Sequence, residues 1–327
     1  MLNLPVLSSE NPEASRKSGA ASGDFRTIAR VARATLGYTV FVILFGAVVR
    51  ITGSGAGCGQ HWPTCNGEIV HLPRRLETLI ELTHRVTSGG ALLAVLAFAA
   101  AAVLGAPPGH RLRSTAWAAV GLMVVEALIG AALVLWRLVA QDTSTARAFV
   151  MPAHLVSTYA LVAVLTLGVL WSRPNPGRVA PDPIEPTALR WLVAGALCVV
   201  AVAATGALTA LGDTLFPPAA LTLAGRVVED QGAAAHDLQR LRVLHPVVAA
   251  VTAVAVVALA FRFGAAHRTA SYAVVGLTGL QVAAGITNVL LSAPGWLQVV
   301  HLGLSLALWV ALVTLIGATR DATPRAA

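Results

Sequence analysis

Hydrophobic residues in this chain fall in long unbroken blocks rather than in the i, i+3, i+4 stripes of helices at a water surface. Eight blocks occur, at approximately 31–49, 79–104, 115–136, 153–171, 189–211, 243–262, 270–291 and 296–318, with polar and turn-forming residues gathered between them. A helix needs roughly 20 apolar residues to cross ~30 Å of hydrocarbon. The pattern therefore predicts an all-α integral membrane protein of eight transmembrane helices.

The blocks repeat as two sets of four. In the third block of each set, Gly121-Leu122-x-x-x-Glu126-x-x-x-Gly130 recurs as Gly276-Leu277-x-x-x-Gln281-x-x-x-Gly285. An even number of spans per set gives both halves the same orientation, a parallel repeat about an axis along the membrane normal. The expected organisation is a disordered cytoplasmic tail at 1–30, an N-terminal four-helix bundle at 31–172, a linker at 173–188 with five prolines, a C-terminal four-helix bundle at 189–318, and a short tail at 319–327.

Composition removes the soluble alternative. Charged residues make up 12% of the chain, about half the usual share of a soluble domain. The net charge of +8 follows topology, because Arg30, Arg33, Arg111, Arg113, Arg190, Arg262, Arg268 and Arg320 all fall on one side of the predicted spans. Such a bias places that side, with both termini, in the cytoplasm of a plasma-membrane protein. The excess of positive charge thus calls for no nucleic-acid partner. Residues 1–25 contain no apolar run and do not read as a secretory signal peptide,; the first span is expected to act as the insertion signal.

Four of the nine histidines lie inside spans, His84, His154, His245 and His301, near the outer ends of spans two, four, six and eight. An ionisable side chain within a span is costly and marks a functional site. A single such histidine can be a satisfied hydrogen-bonding residue, but four at one depth, related by a repeat, are hard to explain so. Zinc favours four clustered ligands, whereas these are divided between two bundles. A pair of facing imidazoles suits axial ligation of haem iron, and the pairs are His84 with His154 and His245 with His301. Arg50, Arg74, Arg75 and Arg85 in the first half, and Arg226, Arg240 and Arg242 in the second, lie where haem propionates would emerge; their other reading is interfacial snorkelling.

The halves differ in their polar company. Glu81 stands one turn before His84, where a carboxylate can act as a general base or stabilise developing positive charge; the second-half position is Arg242. The first half is thus read as the reactive one and the second as an electron-transfer site. Glu126 lies mid-span with Gln281 as its counterpart, and a hydrogen bond to a neighbouring helix is its favoured reading, a proton path the other. Cys58 and Cys65 share the outer loop above the first half. That side is oxidising, so a disulfide is the favoured reading; a metal site would need further ligands, for which His61 and His71 are loosely placed. Cys198 reads as a small packing residue.

The segments Arg50-Ile51-Thr52-Gly53-Ser54-Gly55-Ala56-Gly57-Cys58, Trp62-Pro63-Thr64-Cys65-Asn66-Gly67 and Glu81-Leu82-Thr83-His84-Arg85, with the other three histidines, resemble the haem A synthase family in its bacterial form with an outer-loop cysteine pair. The resemblance covers roughly residues 30–318. It implies oxidation of the C8 methyl of haem O to a formyl group, giving haem A for terminal oxidases, with haem O between His84 and His154 and Glu81 near the reacting methyl. It implies a haem b between His245 and His301 that passes electrons, and a disulfide between Cys58 and Cys65. Implied partners are the haem O synthase, the cytochrome oxidase, quinol or another electron donor, and a second copy of the chain. A quinol-linked di-haem electron carrier explains the four histidines equally well but not Glu81, Arg85 and the cysteine pair on one half only. A haem transporter would place polar residues at the midplane, where only Glu126 and Gln281 qualify.

Overall fold

A backbone that crosses hydrocarbon must satisfy its own N–H and C=O groups, so each long apolar block is driven into helix. In the computed structural model, which describes residues 12–69, 72–173, 186–219 and 222–322, the blocks are helical throughout. The helices are α1 (Pro12–Ile51), α2 (Leu76–Gly105), α3 (Arg111–Leu135), α4 (Thr145–Trp171), α5 (Pro186–Leu215), α6 (Leu223–Gln231), α7 (Asp237–Arg240), α8 (Leu244–Phe263), α9 (Arg268–Leu290) and α10 (Gly295–Ala322). Eight spans are long and apolar enough to cross a membrane, α7 and α8 forming one continuous span, Asp237–Phe263. The protein is a multi-pass membrane protein. Apart from an isolated bridge between Cys65 and Glu68, the regular structure among the described residues is helical.

Local chemistry sets the helix ends. Ser144 caps α4, its side chain accepting from the Arg147 backbone N–H, the usual partner geometry for an orphan donor of the first turn. His110 does the same for α3, and α2 stops before Pro107 and Pro108. Pro152 lies inside α4, two residues before His154, where its missing N–H leaves one carbonyl of the preceding turn without its helical partner.

One boundary differs from expectation. Residues 12–30, expected in a disordered tail, continue α1, and Ile28, Ala29 and Ala32 are buried. The physical reason is packing: this end of α1 carries Phe25, Ile28 and Val31 against the core of the first four spans. Residues 1–11, 323–327 and most of the expected linker, 174–185, lie outside the described residues.

In the first half α1, α2, α3 and α4 pack in a ring, and in the second α5, α8, α9 and α10 do so. The halves meet where α4 lies against α5 and α10 and where α1 touches α10. Close approach there relies on small residues, as in membrane helix pairs generally: a Cβ on Gly317 of α10 would stand 2.5 Å from Leu170 of α4. The seam also holds a buried polar link. Tyr159 Oη pairs with Ser305 Oγ at 2.6 Å, and the Trp309 indole donates to the Tyr159 carbonyl at 2.8 Å. These contacts fix α4 against α10, the helices that carry His154 and His301.

Candidate functional site

His84, His154, His245 and His301 stand eight, nine, eight and six residues after the first residue of their spans. At 1.5 Å per residue this is about 9–14 Å along each helix, one common depth. His84 points at α1, where it meets Phe45 edge-on at 5.9 Å and covers Gly46. His154 of α4 lies within electrostatic reach of His84. In the second half the His245 and His301 rings lie perpendicular with centroids 6.3 Å apart. The His245 and His301 rings are therefore brought together in space, and His84 and His154 lie near enough to interact electrostatically.

Three of the rings rest on a glycine of the neighbouring helix. A Cβ would come within 3.1 Å of His84 at Gly46, 3.0 Å of His245 at Gly206, and 3.2 Å of His301 at Gly285. Gly46 precedes His84 by 38 residues and Gly206 precedes His245 by 39. That near-equal spacing is the signal by which the sequence could have disclosed these cradles. Gly130, the counterpart of Gly285, has open space instead.

The residues fit haem ligation. A gap of 6.3 Å between centroids accommodates two metal–imidazole bonds of about 2 Å each plus the half-width of each ring. Nδ1 of His84, His154 and His301 is buried without an aligned hydrogen bond, with Glu126 Oε2 3.2 Å from that of His154. In the second half, Thr205 Oγ1 approaches His245 Nδ1 at 3.3 Å.

Above the first pair, one face of α2 reads the loop that carries Cys58 and Cys65. Thr78 donates to the Gly57 carbonyl at 2.8 Å, and Glu81 Oε2 accepts the Cys58 backbone N–H at 2.7 Å. Arg85 binds Glu81 Oε1 through Nε at 3.0 Å and also through its terminal nitrogen, and donates to the carbonyls of His61 and Thr64 at 2.5 and 2.6 Å. Positions 78, 81 and 85 share a face at i, i+3, i+7 spacing. The loop lies very close here: a Cβ on Gly57 would be 2.5 Å from the Glu77 backbone. Cys58 and Cys65 form a disulfide with Cα atoms 4.5 Å apart, and both are buried.

This arrangement alters two expectations. Glu81 is buried, and each of its oxygens already accepts a hydrogen bond, so it does not stand as a free base. Arg85, expected to meet a propionate, instead joins Glu81 to the loop. The reason is proximity: the disulfide draws carbonyls over the start of α2, and the guanidinium fork satisfies several acceptors at once.

Arg242 in the second half is likewise occupied. It contacts Asp213 at 3.1 Å and Asp230 at 2.8 Å and donates to the carbonyls of Gly212 and Phe216. Outside the spans, burial pushes the Asp230 carboxyl upward while Arg242 beside it opposes that shift. Arg50, at the end of α1, reaches across the seam to Ala210 O, Thr214 Oγ1 and Gln298 Oε1 at 2.8, 2.6 and 2.8 Å. Arg226 donates to Ser292 Oγ at 2.6 Å, and Arg75 pairs with Glu77 at the surface. Asp213 and Gln298 were not picked out by sequence reasoning; their partners are 29 and 248 residues away, and no local pattern marks them.

The bridge closes a short loop that α2 also holds. Chain-entropy arithmetic for a sequence separation of 7 gives about 2.5 kcal/mol from the cross-link. The double variant Cys58→Ser/Cys65→Ser is expected to lose about that much stability, and its loop to stay docked through Thr78, Glu81 and Arg85. Thermal unfolding, with protease sensitivity of the loop as the second readout, checks this; complete release of the loop would contradict it.

Comparison with known proteins points the same way. The family model described as Cytochrome oxidase assembly protein, COX15-CtaA, matches residues 29–313. A Thermus thermophilus protein named Protoheme IX farnesyltransferase is 43% identical over 284 residues, covering 85% of this chain and 46% of that protein. Heme A synthases of Bacillus cereus and Bacillus anthracis are 43% identical over 100 residues, 30% of this chain and 31% of theirs. The chain thus spans less than half the length of these curated relatives.

Proposed function

The chain belongs to the COX15-CtaA family of cytochrome oxidase assembly proteins, and on that premise we propose that it is a haem A synthase, a membrane oxidoreductase that converts the C8 methyl of haem O to a formyl group. The observation that carries this reading is the asymmetry of two otherwise matching histidine pairs. Both halves offer facing imidazoles at one depth. Each half holds an arginine–carboxylate cluster beside its pair, but among the described residues only the first sets the carboxylate one turn before its histidine and beneath a disulfide-closed loop. The Bacillus relatives named Heme A synthase support the same reaction.

In this reading haem O would be the substrate of the first half, held by His84 and His154, and converting its methyl to a formyl group would be a four-electron oxidation whose electrons an external oxidant takes up. A haem b, held by His245 and His301, supplies one-electron chemistry when bound. Gly206 and Gly285 let the His245 and His301 rings lie close to the neighbouring helix, which orients them toward each other. Glu81, hydrogen-bonded by Arg85, stands one turn from His84, where a carboxylate favours positive charge developing on the substrate. The docked loop keeps water from the outer end of the site. Arg85 and Arg242 could reach propionates only by giving up protein partners, so we assign them to holding the site together.

The relative named for farnesyl transfer to protohaem IX supports a haem O synthase as the supplier of substrate. The family description supports a cytochrome oxidase as the recipient of product. Quinol or another membrane donor is the expected electron source. A di-haem electron carrier would leave the first-half carboxylate and loop without a task.

Haem extracted from protein purified out of cells making haem O tests the proposal. Mass spectrometry is expected to find haem b together with haem O or haem A. Recovery of haem b alone, with haem O abundant in the membrane, would overturn it in favour of the carrier.

A further inference from the structure

Glu126 of α3 and Gln281 of α9 occupy the same register of the repeat, four residues before Gly130 and Gly285, yet they meet opposite nitrogens of their histidines. Glu126 Oε2 stands 3.2 Å from Nδ1 of His154. Gln281 Nε2 stands 3.2 Å from Nε2 of His301. The surroundings differ as well. Ser157 Oγ and Thr158 Oγ1 both contact Glu126, the latter at 2.9 Å, and both also lie within reach of the His154 carbonyl, at 3.0 and 2.8 Å. A hydroxyl has one proton to give, so each donates to the carboxylate or to the carbonyl. The second-half positions are Leu304 and Ser305, and Ser305 pairs with Tyr159.

We propose that Glu126 is a positioning residue for His154: its carboxylate takes the Nδ1–H, directs Nε2 into the bundle, and makes His154 a stronger electron donor to haem iron than His301. The proposal rests on the reading that His84 and His154 hold a haem. A carboxylate on the outer N–H of a ligating imidazole fixes its tautomer and ring orientation and raises its basicity. In a low-dielectric bundle that contact acts more strongly than in water. The ring is not yet aligned for a full hydrogen bond, and rotation about its side-chain bonds brings Nδ1 into line. A neutral amide has no comparable effect, and Gln281 must swing away from Nε2 before His301 can use that nitrogen. A carboxylate within a span is costly, and a plain α3–α4 tie would be served equally well by glutamine, which the repeat itself places at the other site.

Potentiometric titration and electron paramagnetic resonance of the haem-loaded full-length protein test this. Glu126→Gln is expected to raise the midpoint potential of the first-half haem and shift its low-spin signals, with the second-half haem unchanged. Glu126→Asp is expected to restore part of the difference. Gln281→Glu should lower the second-half potential, and it keeps the test alive if Glu126→Gln fails to fold. Ser157→Ala weakens the interhelical tie but keeps the carboxylate, so its first-half potential should stay near that of the unmodified protein. The proposal is overturned if Glu126→Gln leaves potential and signals unchanged while losing thermal stability as Ser157→Ala does, or if Gln281→Glu leaves the second-half potential where it was. Failure of the underlying reading shows differently: a His154→Ala protein that keeps first-half haem with unaltered signals means His154 is no ligand.

Discussion

Replacing His84 or His154 by alanine is expected to abolish haem A formation while leaving haem b in the second half. Altering groups that merely orient a metal ligand typically costs 10–100-fold in affinity or activity, so loss of a ligand itself should exceed about 100-fold. His84 rests on Gly46 and Phe45, and neither can supply a lone pair to iron. The second half should show the mirror result. His245→Ala or His301→Ala loses haem b, with first-half haem O retained but poorly converted. Haem-to-protein ratios and extracted haem identity measure both outcomes. A His84→Ala protein that still makes haem A at the unmodified rate would sink the assignment of the first pair.

The largest effect on stability is expected at Glu81. Glu81→Ala leaves the Arg85 guanidinium with its side chain 12% exposed and without its carboxylate partner, and leaves the Cys58 N–H without its acceptor. Breaking a buried ion pair from one side costs about 3–5 kcal/mol. Glu81→Gln keeps an acceptor for Cys58 and should cost less. Thermal unfolding in lipid nanodiscs ranks the variants, and the rate of thiol labelling under mild reductant reports loosening of the Cys58–Cys65 loop. Glu81→Ala with unchanged stability and unchanged labelling would show that the pair does not hold the loop. Conversion of haem O by Glu81→Gln separates the two tasks: lost turnover with a docked loop points to the charge on Glu81, retained turnover to its anchoring alone.

Both expectations follow from one design. Duplicated bundles place imidazole pairs at equal depth, and polar residues that differ between corresponding positions differentiate them. In the first half Glu81 and Arg85 face the loop while Glu126 faces His154. In the second, Arg242 lies between two aspartates, and Arg50 crosses from the first half to brace α5 and α10. The seam through Tyr159, Ser305 and Trp309 keeps the two sites in fixed relation.

By itself, the sequence determined the eight spans, and it offered the repeat, the four histidines and their pairing as expectations. These depend on properties local to a segment: the length of an apolar run, the cost of a polar group within it, and a spacing that recurs. The cysteine pair was legible for the same reason, since its members lie seven residues apart in one loop. Only the tertiary structure decided what Glu81, Arg85, Arg242, Arg50 and Glu126 touch. Spacing placed Glu81 and His84 one turn apart, but their side chains diverge, one to the loop above and the other to Gly46 of α1. Orientation around a helix and contact across 100 residues or more of chain depend on which helices become neighbours. That is settled by packing of the whole bundle, and no single segment encodes it.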